Sequence, residues 1–166
     1  FEEAGFINAV VAKIQPEDAE WDAADYDYNV VRWSSEPDGN LLGIGPSVSN
    51  PLTGEIISAD VVNKLLAIKL GYNYRKLYGY TEDNDPLMQY ITNLTLHEVG
   101  HVLGLRHNFR GSYLYSPDEI HDKNITGNVL MSSVMDYDPI NIAPEGVEQG
   151  IYFSTEPGVY DKWAVK

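Results

Sequence analysis

Apolar positions along the chain change their period several times, and each change marks an element. Asn8-Ala9-Val10-Val11-Ala12-Lys13-Ile14 is short and rich in β-branched residues, which predicts a strand ending before Pro16, followed by an acidic exposed loop to Asp27. Tyr28-Asn29-Val30-Val31-Arg32-Trp33-Ser34 predicts a second strand, closed by the turn signal Glu36-Pro37-Asp38-Gly39-Asn40. Leu41 to Ser49 is extended but carries Gly43, Gly45 and Pro46. Because proline cannot donate to a ladder, this segment reads as an edge strand. Asn50-Pro51-Leu52-Thr53-Gly54 is a further turn, after which Glu55 to Val62 returns antiparallel to make a hairpin.

From Asn63 the rhythm becomes helical, with Leu65, Leu66, Ile68 and Leu70 carrying it as far as Tyr78. Thr81 to Asp85 reads as an acidic loop. Asp85 is then a good N-cap and Pro86 a good first residue for a helix running to Gly104. Beyond Phe109 the chain is rich in Gly, Ser, Asp, Asn and Pro, as in a loop-built region around a site. Tyr160 to Lys166 reads as an opening helix. Strands plus a few helices indicate an α+β domain.

The chemistry lies in Thr95-Leu96-His97-Glu98-Val99-Gly100-His101-Val102-Leu103-Gly104-Leu105-Arg106-His107-Asn108, which contains H-E-x-x-H-x-x-G-x-x-H. Residues i and i+4 share a helix face, so His97 and His101 can point at one ion. Glu98 is placed to touch the reacting water rather than the metal. Gly104 can take the left-handed conformation that ends a helix and lets His107 return to the same ion. Three neutral nitrogens leave one coordination position open, the mark of a catalytic zinc site. Chance assembly of this pattern from the chain's composition is on the order of 10^-5. The fourth histidine, His121, reads as a solvated surface residue in a polar loop.

Composition narrows the partners. A length of 166 residues with 43% apolar content suits one domain, 1–166, with the sheet and active-site helix in 1–104 and a second part in 105–166. A net charge of −14 with 11 Lys and Arg argues against nucleic acid. No apolar run approaches the roughly 18 residues of a membrane-spanning helix. With no Cys, a metal must be held by His and carboxylate. The acidic stretches Asp22 to Asp27 and Glu82 to Asp85 could bind calcium, although solvated loops are the simpler reading. Residue 1 is Phe rather than Met, and both ends read as cut from a longer protein.

The zinc motif resembles that of the metzincins, whose other mark is a Met-turn beneath the metal. Ser133-Val134-Met135-Asp136-Tyr137 fits it downstream. The resemblance implies a zincin-like α+β fold with a twisted, mostly parallel sheet, an antiparallel edge strand and an irregular C-terminal subdomain built around Met135. It also implies a zinc-dependent endopeptidase, with Tyr137 steadying the oxyanion. The bland reading of Met135 and Tyr137 is a core Met and an exposed aromatic. A polypeptide substrate would add to the edge at Gly43, Ile44, Gly45, Pro46 and Ser47, and Asp138 to Ala143 would shape the pocket for the residue after the cut.

Asn108 stands where astacins have Glu, adamalysins Asp, matrixins Ser and serralysins Pro. The wider run from Tyr28 to Phe109 is similar to a bacterial matrixin-related group that includes the zinc-binding domain of an AB5-type toxin protease subunit. That likeness implies an extracellular or periplasmic setting. A zinc-binding but catalytically silent module, or a docking component of a toxin-like assembly, is the competing reading; a zinc hydrolase of non-peptide amides is a third. The intact Glu98 favours an enzyme.

Overall fold

A computed structural model describes residues 1–36 and 41–166. Four strands form one sheet: β1 (Val30–Ser34), β2 (Gly43–Ile44), β3 (Ser47–Ser49) and β4 (Ile56–Lys64). β4 lies at its centre. β1 pairs with it in parallel, Val30 opposite Asp60, while β2 and β3 pair antiparallel along its other edge, Gly43 opposite Asn63 and Ser47 opposite Ala59. The predicted hairpin and the edge position of 41–49 are therefore present. The sheet is mixed rather than mostly parallel, because among the described residues only β1 runs with β4. Of the turn signal at 36–40, all but Glu36 lies outside the described residues.

Asn8 to Ile14, expected as a strand, forms none. No backbone hydrogen bond joins it to another segment among the described residues, and Ile14 is 95% exposed. β propensity without a partner strand does not make a ladder.

Burial along β4 alternates, with Ala59, Val61 and Asn63 inside, as a half-covered strand requires. Two helices cover that face. α1 (Leu65–Tyr78) begins directly after β4, and α2 (Pro86–Val102) packs against it where Gly71 leaves no room for a side chain beside Leu87. Asn63 ties β4 to α2 by donating to Thr95 Oγ1 at 3.0 Å. The start of α2 is the predicted one: the Asp85 carboxylate accepts the Leu87 N–H at 3.0 Å and is also paired with Arg75.

Its end is a Schellman turn. Gly104 takes φ 86°, its N–H donates to His101, and the Leu105 N–H donates to Gly100.

The main core joins Ala67 and Tyr90 to Tyr152 and Phe153, with the Tyr90 and Phe153 rings 5.1 Å apart. The rest of 105–166 has only a short 3-10 turn and the short helices α3 (Lys123–Thr126) and α4 (Val159–Ala164). Buried amides hold it in place. Gln89 Oε1 accepts the Tyr152 and Phe153 N–H groups, and Asn141 Nδ2 donates to the carbonyls of Ile120 and Ile151. Among the described residues no helix is long and apolar enough to cross a membrane.

Candidate metal centre

Helix periodicity places His97 and His101 one turn apart on α2, and the Schellman turn at Gly104 brings His107 back to them. One nitrogen of each ring lies within 4.8 Å of the others. His97 Nδ1 is 2.7 Å from the Val134 carbonyl and His101 Nδ1 is 3.1 Å from the Leu105 carbonyl. A carbonyl only accepts, so each Nδ1 carries its proton and each Nε2 presents a lone pair inward. Burial, together with charge repulsion from neighbouring rings, pushes His97 and His107 below the usual imidazole range, against the Val134 hydrogen bond at His97. Imidazole nitrogens gathered in this way suit a divalent zinc-type ion.

Glu98 is 6% exposed and faces the same cleft. Burial raises its carboxyl above the usual range, opposed by His101 and by the Gly45 N–H. The edge strand lies directly on it. A Cβ on Gly43 would stand 2.8 Å from Glu98 Oε1, and one on Gly45 would stand 2.2 Å from the Glu98 carbonyl oxygen. Close approach to backbone thus requires glycine at Gly45, while a side chain at Gly43 would displace the Glu98 carboxylate. Leu42 and Pro46 carbonyls accept the Lys64 and Asp60 N–H groups of β4, so by alternation the backbone groups of Gly43 and Gly45 face the cleft. Gly43, Ile44, Gly45 and Pro46 line that cleft. Ser47, grouped with them from sequence, instead borders a smaller hollow beside Asp60.

Beneath the histidines, Met135 is fully buried, and its sulfur occupies the space that a Cβ on Gly100 would need, 2.2 Å away. The turn carrying it is anchored twice. The Met135 carbonyl accepts the Asn108 N–H at 2.9 Å. Asp161 of α4 accepts Ser133 Oγ at 2.6 Å, Val134 N–H at 2.8 Å and Gly158 N–H at 2.9 Å.

Tyr137 stands over the cluster, its ring 4.5 Å from that of His107 and its hydroxyl 3.4 Å from His107 Nδ1. The structure therefore brings His97, His101, His107, Glu98, Met135 and Tyr137 together.

The cleft, about 730 Å³ in volume, continues from the histidines between α1, α2 and the chain after Tyr137. Its inner wall includes Asp138, whose Oδ2 accepts Asn93 Nδ2 and Ser154 Oγ, each at 3.1 Å. Burial pushes this carboxyl up to about 7, with the Ser154 and Asn93 hydrogen bonds opposing. Asp138 falls in the stretch expected from sequence to shape the pocket; sequence reasoning missed Gly100 and Asp161. A glycine inside a helical pattern was the available signal for Gly100; nothing local marked Asp161.

His121 is not the solvated residue expected, since it is half-buried and its Nδ1 lacks a partner. In the acidic stretches, the Asp85 oxygens are committed to Arg75 and Leu87. Among the described residues the His triad is the grouping of three or more close metal-ligating side chains.

No curated protein and no solved structure matches the chain. A family model described as Met-zincin matches residues 80–166, just over half of it, from before α2 through the whole C-terminal region. With three histidines converging on one point in that span, the chain belongs to the Met-zincin family.

Proposed function

We propose that this chain is a zinc-dependent endopeptidase. The observation carrying the reading is the convergence of one ring nitrogen from each of His97, His101 and His107 beside a buried carboxylate, in a cleft bordered by a strand edge. His97, His101 and His107 would hold the ion. Bound zinc supplies Lewis-acid polarisation of a carbonyl and acidifies a water.

The protein's own groups do the rest. Glu98, made a stronger base by its burial and held in place by the strand across it, takes a proton from the attacking water and delivers it to the leaving amine. Tyr137 supplies a hydroxyl at the rim that steadies the developing oxyanion. The cleft-facing backbone groups of Gly43 and Gly45 pair with an extended polypeptide, and 138–143 shape the pocket beyond the cut.

The likeness of 28–109 to matrixin-related exported bacterial proteins, including an AB5-type toxin protease subunit, supports an extracellular or periplasmic setting. Digestion of a peptide library tests the reading. Cleavage should stop with a chelator and return with zinc. Zinc binding without cleavage of any peptide would leave the silent zinc-binding module in its place.

A further inference from the structure

One carboxyl in the cleft has no part in the proton transfer or in holding the ion. Asp138 lines the cleft, where Oδ2 is held by Asn93 and Ser154, while Oδ1 is buried with no hydrogen-bond partner among the described residues. A buried acceptor without a donor is uncommon in a folded protein and marks a place where a donor group is missing. Leu70, Tyr74, Tyr90, Leu94 and Phe153 line the same cleft as the histidines and Asp138 and give it a wall of aliphatic and aromatic carbon. Among the described residues, Glu98, Asp136 and Asp138 are the charged residues other than histidine along the cleft, and no Lys or Arg lines it. The chain as a whole carries −14.

Each of these features suits the same guest. A hydrocarbon stem gains from apolar and aromatic walls, a cation gains from ring faces and from a carboxylate at the far end, and an acidic protein concentrates cationic peptides. We propose that Asp138 is a specificity-determining residue that selects a basic side chain, Lys or Arg, in the substrate residue that enters the inner cleft. This deepens the peptidase reading and rests on it for the claim that a peptide occupies the cleft. The stem lies along Tyr90 and Leu94, and the cation meets the Asp138 carboxylate after a small shift of that side chain exposes Oδ1.

The test measures binding, so it does not depend on turnover. Three zinc-directed succinyl hydroxamates, identical except for an aminobutyl, a butyl or an N-acetylated aminobutyl side chain, are titrated calorimetrically into the zinc-loaded protein and into Asp138→Asn. The aminobutyl compound should bind wild type about tenfold to a hundredfold more tightly than the other two, the range of one charge-assisted hydrogen bond. Asp138→Asn should bring that ratio close to one while leaving butyl binding intact.

Equal or tighter binding of the butyl compound to wild type overturns the proposal, as does a ratio unchanged by Asp138→Asn. The wild-type ratio stands as evidence even if the variant fails to fold. If the ratio holds while no peptide is cleaved, the peptidase reading fails and the cation subsite remains.

Discussion

Residues 5–28 and 128–158 both lack helix and strand, yet they are opposites physically. In the first stretch, among the described residues, hydrogen bonds reach no further than six residues along the chain, and Val10, Val11 and Ile14 are 64%, 62% and 95% exposed. In the second, Leu130, Met135 and Phe153 are at most 1% exposed, and side chains distant in sequence satisfy the backbone: Gln89 for Tyr152 and Phe153, Asp161 for Val134. Irregular backbone is thus ordered wherever buried side chains supply the partners that a ladder would have supplied. The metal cluster is built on that kind of order. His97 takes its orientation from a carbonyl of the irregular region, Val134.

Substitutions can break this contrast, and the largest effect is expected at Asp161. Asp161→Ala strips partners from Ser133, Val134 and Gly158 and should cost about 3–5 kcal/mol in denaturant unfolding. A loss below about 1 kcal/mol would show that the Met135 turn does not depend on it.

Asp138 gives a pH-dependent signature. Its folded carboxyl is raised to about 7, so between the unfolded value of roughly 4 and pH 7 the native state holds a proton that the unfolded chain releases. Stability should therefore fall as pH rises through this window, by on the order of 2 kcal/mol, and Asp138→Asn should flatten the slope. A slope unchanged in the variant would place the effect on another group.

Gly100→Ala comes next. Overpacking against the Met135 sulfur, partly offset by the better helix propensity of alanine, should cost about 1–2 kcal/mol and weaken zinc binding. The smallest effect belongs to the exposed stretch: Ile14→Ser should change stability by no more than about 0.5 kcal/mol. A larger loss there would mean that 5–28 is anchored after all.

What was legible in the sequence follows the same division. The hairpin around Asn50–Gly54, the Asp85-Pro86 helix start and the Gly104 stop are local signals, in which a few adjacent residues carry the physical cause, and each is present. The three histidines could be grouped because their spacing is set by one helix and one turn. Asn8 to Ile14 misled because strand propensity says nothing about whether a partner lies alongside. The anchoring by Asp161 and the Asp138 bond to Asn93 were invisible because they exist only once segments 27 to 45 residues apart meet. Gly43 and Gly45 were read as an edge open to substrate, whereas their tighter constraint, contact with Glu98, spans more than fifty residues.

The central claim is that the three histidines hold zinc while Glu98 moves the proton, and Glu98→Gln separates those two jobs. Metal content and peptide-cleavage rate are measured together on wild type and variant. One zinc per chain in both proteins is expected, with cleavage by the variant about 10²- to 10⁴-fold slower. Cleavage by Glu98→Gln at the wild-type rate, or wild-type cleavage that persists without bound metal, would contradict the account.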